Sequence, residues 1–536
     1  MTGFLHPKAC LSSAGDSPGR DRMNPRRRSA RFSVALFLYF LFFASARMMP
    51  QGLPSYRIMH YDLRIEPDFK AKTVRVLASI EIANPALDSR FSFALADACK
   101  VASLHASDSD AHAEREEGVL NVALSRPQKK VVLTFDLQAT PGKSDGETRS
   151  VIDDQSLFLL WSDRWYPADF DQWATARTTV VLPPDFKVIA PGKLISAVGN
   201  GSKIEHVFQT SRPAVSYSVF ADSRWIRSER RAAGFRMVTL LHPESQKFAE
   251  QILSGSSDVL KFFSELHGGY FFDRFAFVTI PGIYARRAFT GWIGYSPDYL
   301  EKEMARTGYD AHETSLLWWG LTSHGRGAGS WQWTEGLGDY VEVMYGEARN
   351  KPLPQNFVRF RSEYLAGPPE EDVPFDKLRG NTAQKIIHGK YPWTMQVMRE
   401  RVGDAAFRRG IRLLFDRYRF RTFSMDEFVA TFEQASRQSL AWWRKEWLER
   451  KGVPAVAFES SIVPSGKGYR VTCRLAQEAE LYELPLEIGI RNANTTRIEK
   501  ILLRDRKAEV TFDSAERPTE VVLDPNNRVL MQKIVR

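Results

Sequence analysis

Residues 309–340 read Y-D-A-H-E-T-S-L-L-W-W-G-L-T-S-H-G-R-G-A-G-S-W-Q-W-T-E-G-L-G-D-Y. A zinc site of the H-E-x-x-H kind needs two imidazoles one helical turn apart, so that both nitrogens point at one ion, with a carboxylate between them as general base. His312 and Glu313 meet that pattern, but the second imidazole position is Leu316. After a gap of eighteen residues, Glu335 stands where a third, carboxylate ligand comes from the next helix. Three of the four parts are present, and the fourth is a hydrocarbon that coordinates nothing.

His312-Glu313-x-x-Leu316, Trp318-Trp319-Gly320 and Glu335-Gly336 resemble the H-E-x-x-H-x-W-[WF]-G and W-x-x-E-G signature of the gluzincin aminopeptidases, the membrane alanyl aminopeptidase type. One departure is small: the tryptophan of W-x-x-E-G falls on Gln332, with Trp331 and Trp333 on either side. The resemblance implies that Glu313 is the general base and that His312 and Glu335 are metal ligands. Zinc in such a site polarises the peptide carbonyl and activates a water, whose proton the glutamate passes to the leaving amine. Structural zinc binding totals roughly 10–16 kcal/mol, so losing one of three protein ligands weakens it by several kcal/mol. Zinc is therefore expected to be weakly held or lost.

Two further positions depart from the same pattern. Arg287-Ala288-Phe289-Thr290-Gly291-Trp292, within Pro281 to Tyr295, aligns with the family's G-x-M-E-N-W, whose glutamate holds the substrate's free α-amine. That position is Thr290, so the amine clamp is missing. Downstream, His388-Gly389-Lys390-Tyr391-Pro392 aligns with Y-x-K-G, whose tyrosine stabilises the oxyanion. His388 takes the tyrosine's place and, as a hydrogen-bond donor, can still serve an oxyanion. It is also a candidate for the missing metal nitrogen, as is His324 in the Gly-rich bend. The ordinary reading of His324 is a solvent-exposed loop histidine.

Outside this stretch the hydrophobic period divides the chain. From Tyr56 to about Trp225, alternation such as Val74, Val76, Ala78, Ile80, Ile82 and Leu133, Phe135, Leu137 predicts an antiparallel β domain. Tyr61-Asp62-Leu63, Trp165-Tyr166-Pro167 and the P-x-x-x-x-V-x-A-x-G stretch from Pro183 to Gly192 resemble, in that order, the family's N-terminal saddle domain. From about Phe235 to Gly452 the period becomes helical, with helices expected over 248–266, 405–418 and 440–450 and a strand over 275–280. Ser424-Met425-Asp426-Glu427 is a capping box opening a further helix. From Val456 onward the period of two returns and fits a small β-sandwich. The expected class is multidomain α+β: leader 1–50, N-terminal β saddle 51–228, thermolysin-like α-rich domain 229–453 and C-terminal β-sandwich 454–536.

A formal charge of +10 invites an anionic partner, but the first 46 residues hold seven Lys/Arg against two Asp/Glu. The remainder carries 67 basic and 62 acidic residues, without a basic patch interleaved with stacking aromatics, so nucleic acid is not the expected partner. From Met23 a basic segment, the apolar run Phe32 to Ala46 and Ala44-Ser45-Ala46 describe a secretory signal cleaved after Ala46, with translation starting at Met23. Read as an uncleaved anchor, fifteen apolar residues reach about 22 Å, short of the ~30 Å hydrocarbon core. Membrane attachment is thus expected only through an uncleaved leader. The protein is expected to be exported, to the periplasm, the extracellular space or a secretory lumen. Of the three cysteines, Cys10 lies in the leader, and Cys99 and Cys473 are expected as two buried thiols.

Two functions follow. The first is an exported aminopeptidase-like protein, catalytically impaired by Leu316, that binds a peptide or protein in its interdomain cleft. The second is an active zinc metallopeptidase with an altered metal shell. A purely structural envelope protein is a third expectation, and it requires no groove between domains.

Overall fold

The computed structural model describes residues 54–535 apart from 142–149, 281–285, 307–308, 328, 352, 368–371, 379–383 and 494. The leader, residues 1–50 with Cys10 and the expected signal from Met23 to Ala46, lies outside the described residues, as does Pro281. Among the described residues no helix is long and apolar enough to cross a membrane.

Alternation of small and β-branched residues places one face of each N-terminal strand in a core. Val74, Val76, Ala78, Ile80 and Ile82 of the strand Thr73–Ala83 are all fully buried. That strand pairs antiparallel with Arg57–Asp68 on one side and Lys130–Ala139 on the other, inside a seven-stranded sheet. The expectation of a purely antiparallel domain needs one correction: Arg57–Asp68 runs parallel to Thr175–Leu182. A parallel pair requires a long crossover, and the chain between these two strands builds three more strands of the sheet, Thr73–Ala83, Lys100–Ala106 and Lys130–Ala139, before it returns. Cys99 and Cys473 are buried and free.

The strand Ile226–Ala232 opens a five-stranded mixed sheet, so the boundary expected at residue 228 falls inside a strand. The order in that sheet is Ile226–Ala232, Phe235–Leu241, Phe275–Thr279, Trp292–Tyr295 and, outermost, Arg286–Phe289. The helix Ala249–His267 buries Ile252, Val259, Leu260 and Phe263 and stops at Gly268, whose φ of 93° lies in the left-handed region. Helices Ser330–Ala348, Tyr391–Val402, Asp404–Tyr418 and Met425–Ser436 follow. The capping box is formed: Glu427 N donates to Ser424 Oγ at 3.2 Å and Ser424 N donates to Glu427 Oε2 at 2.7 Å.

The helix expected over 440–450 is shorter and wider, Ala441–Trp443 continuing as a π turn over Arg444–Leu448. Tertiary contacts of two indoles override the regular turn there. Trp443 Nε1 donates to the Thr394 carbonyl at 2.7 Å, and Trp447 packs edge-on to Tyr482 at 5.4 Å.

A four-stranded and a three-stranded sheet complete the chain. Their inward residues, among them Val471, Cys473, Leu486 and Ile488, belong to the same buried cluster as the helical core. The N-terminal sheets have a core of their own. A smaller cluster joins that region to the five-stranded sheet, with Trp161, Phe220 and Trp225 against Val278, Phe289 and Trp292. The molecule is multidomain, with β-rich ends flanking a helix-rich middle.

Candidate functional site

Asp310 fixes the start of the short helix Ala311–Ser315 by accepting a hydrogen bond from Glu313 N at 2.9 Å. The same carboxylate accepts from Arg286 Nη1 at 2.8 Å and from the Tyr295 hydroxyl. One N-cap therefore ties the helix to two neighbouring strands and sets the direction of His312 and Glu313.

The long helix Ser330–Ala348 supplies the opposing wall. Glu335, Asp339 and Glu342 lie at i, i+4 and i+7, one face of an α-helix. His312 reaches that face with both ring nitrogens: Nδ1 is 2.8 Å from Asp339 Oδ1 and Nε2 is 3.2 Å from Glu335 Oε1. The other oxygen of Asp339 is 2.5 Å from His388 Nδ1, so one carboxylate bridges two histidines. Their rings stand 6.5 Å apart, and His388 is stacked on Phe360 at 4.8 Å.

Charge follows from this packing. Burial alone lowers the His312 imidazole, but Asp339 and Glu335 outweigh it and hold the group well above its ordinary value. Asp339 is raised by burial and lowered further by His388 and His312, ending below the usual carboxylate range. Glu313 is fully buried, and neither of its oxygens has a hydrogen-bond partner among the described residues. Burial pushes it up to about 7, against the pull of Arg286, whose Nε lies 3.3 Å away, and of His312. Glu342 is likewise pushed up to about 7 by burial.

The expected residues thus divide in two. His312, Glu313 and Glu335 come together, and His388 joins them through Asp339. Leu316 caps the short helix, and its side chain lies against the next one: a Cβ added to Gly338 would sit 2.8 Å from Leu316 Cδ2. Thr290 stays apart, its hydroxyl donating to the Val215 carbonyl at 2.6 Å. His324 is neither a solvent-exposed loop residue nor a partner of His312. It is 7% exposed, its Nε2 is 3.3 Å from the Phe170 carbonyl, and its ring packs on Trp173 at 5.1 Å. The Gly-rich bend is folded against the N-terminal region, which buries that ring. The side chain of Trp331 lies outside the described residues, whereas Trp333 is fully buried against Phe428 at 4.3 Å.

Sequence reasoning missed Asp339, Glu342, Asp310 and Arg286. The helical spacing E-x-x-x-D-x-x-E carried the first two. Asp310 was legible as the N-cap, being the Asp immediately before A-H-E. No local signal carried Arg286, which reaches the site from a strand.

Two donors of one tetrahedral zinc, each about 2.0–2.1 Å from the ion, stand about 3.3 Å apart. His312 Nε2 and Glu335 Oε1 have that spacing, at 3.2 Å. The motif's second imidazole position is Leu316, which offers no donor atom, so the donor set is one short and does not fit a catalytic zinc of the expected kind. A different grouping, His312, Asp339 and Glu342, has donor atoms within 4.8 Å of one another. It draws on a carboxylate already bridging two imidazoles.

The tightness of the Leu316 contact gives a direct check. Gly338→Ala is expected to destabilise the chain by about 1–3 kcal/mol, the usual cost of overpacking. The penalty should shrink in a Leu316→Ala background, because the clash partner is gone; denaturant unfolding of the four proteins of this cycle measures it. Equal penalties in both backgrounds would place the leucine elsewhere.

No protein-family model matches the chain, and a search of curated proteins finds no match.

Proposed function

We propose that the protein is an exported relative of the gluzincin aminopeptidases whose catalytic centre has been rebuilt as a salt-bridge network, leaving a cleft that binds a peptide or protein segment. In this reading a β saddle, a thermolysin-like helical domain and a β-sandwich surround that cleft. The observation that carries it is the pairing of losses with replacements. Leu316 removes a ligand, while Asp339 supplies counter-charge to His312 and His388, and Arg286 lies beside Glu313 and Asp310. The charges that an ion would balance are met by side chains.

A second reading, an active zinc peptidase with an altered shell, draws support from the His312–Asp339 contact. A carboxylate on the far nitrogen of an imidazole is how metal-binding histidines are oriented. His312 Nε2 would then face the metal beside Glu335, with Glu313 as base and His388 as oxyanion donor.

Turnover separates the two. With alanyl and arginyl amide reporters and zinc present, the wild-type chain is expected to match Glu313→Gln at background rate. Turnover well above background that falls at least a hundredfold in Glu313→Gln would establish the second reading instead.

A further inference from the structure

Adjacent residues on a strand point to opposite faces, and Arg286 and Arg287 show what this does to two neighbouring cations. Arg286 turns toward the helices and is saturated by acids, with Asp310 at 2.8 Å, Glu313 at 3.3 Å and Glu303 at 3.7 Å. Arg287 turns the other way, toward the 3-10 turn Trp161–Asp163 of the N-terminal region. Its guanidinium lies over the Trp161 ring at 5.1 Å, and its hydrogen bond to Ser162 Oγ is long, at 3.5 Å.

No described carboxylate forms an ion pair with Arg287, although Asp163, Glu313 and Glu335 act on it through space. Burial lowers this guanidinium from its ordinary value, the cost of partial desolvation without a partner. Five N–H donors in a rigid fork are therefore held by a stacked indole and one weak acceptor. Arg399, by contrast, binds Glu347 at 2.7 Å and Asp404 at 2.5 Å.

We propose that Arg287, stacked on Trp161 at the outer strand of the five-stranded sheet, is a binding residue for a carboxylate of the bound peptide. The proposal rests on the peptide-binding reading above and names the chemistry that the site selects. The strand's expected amine contact is absent, since Thr290 spends its hydroxyl on Val215, and a cation stands three residues earlier. A planar guanidinium and a carboxylate form two parallel N–H···O bonds, so geometry as well as charge is matched. The carboxylate is either the peptide's C-terminus or an acidic side chain.

Isothermal titration with three probes distinguishes these sources: N-acetyl-Ala-Ala-Leu as free acid, the same peptide as C-terminal amide, and N-acetyl-Ala-Glu-Leu amide. The wild-type chain is expected to bind at least one carboxylate peptide ten times or more tightly than the neutral amide. Arg287→Ala should abolish that preference, and Arg287→Lys should restore it only in part. Preference for the free acid assigns the C-terminus, and preference for the glutamyl peptide assigns a side chain. Equal binding of all three, or a preference that survives in Arg287→Ala, overturns the role of Arg287 and leaves peptide binding standing. N-acetylalanine as a small carboxylate covers the remaining case. If no peptide binds but this anion raises the melting temperature only when Arg287 is present, the anion site stands and the peptide reading falls. If neither binds, both fall. Arg287→Ala should keep the wild-type melting temperature without ligand, which shows that the variant folds.

Discussion

Replacing Asp339 with alanine should cost the protein about 3–5 kcal/mol at neutral pH, the penalty for breaking a buried charge pair from one side. The carboxylate is the shared partner of His312, at 2.8 Å, and His388, at 2.5 Å, and all three side chains are at least four-fifths buried. Without it a buried imidazolium at His312 retains Glu335 at 3.2 Å and, more distantly, Glu313 at 3.9 Å. The pH dependence follows from the two shifts. Asp339 lies below the ordinary carboxylate range, so its contribution is complete above about pH 4 and is lost as pH falls through the folded value. His312 lies above its ordinary value, so its contribution is complete below about pH 6.5 and is lost as pH rises through the folded value. Denaturant midpoints of wild type and Asp339→Ala should accordingly differ most between these limits and converge in strong acid. A difference below about 0.5 kcal/mol at pH 6, the range of ordinary surface substitutions, would mean that the bridge contributes nothing.

Leu316→His is expected to create a zinc site with His312 and Glu335 as co-ligands. His312 Nε2 and Glu335 Oε1 already stand at the separation of co-ligands, and position 316 follows His312 by one turn. Gly338 has no side chain where the present leucine packs, and an imidazole there, of similar volume, reaches further from the backbone than a leucine methyl. A third donor is worth several kcal/mol of roughly 10–16 in all. The gain in zinc affinity should therefore be a hundredfold or more, since about 2.7 kcal/mol corresponds to that factor. His312 must give up the proton on Nε2 to ligate, so zinc affinity should rise with pH in both proteins.

Much of the fold is legible in the amino-acid sequence. Alternation in Thr73–Ala83 and in Gly468–Gln477 marked strands because one face of each is buried, and the Ser424 box marked its helix because cap chemistry is local. His312 and Glu335 were readable as a pair through the resemblance to the aminopeptidase signature and its eighteen-residue gap. The parallel return of Thr175–Leu182 was not readable, since register between distant strands leaves no local trace. Arg286 was invisible for the same reason, being brought from a strand to a helix N-cap by tertiary packing. His324, expected at the surface, is instead buried with its ring nitrogen against the Phe170 carbonyl, a tertiary contact that the Gly-rich bend does not announce. The wide turn at Arg444–Leu448 follows from indole packing that no periodicity carries.

Zinc titration of the apo wild-type chain beside Leu316→His, at pH 7.5 and with a competing chelator, tests whether position 316 withholds the third donor. The account predicts weak, substoichiometric binding by the wild type and one tightly held ion in the histidine variant. One tightly held zinc per wild-type chain, released on His312→Ala and no tighter in Leu316→His, would contradict it.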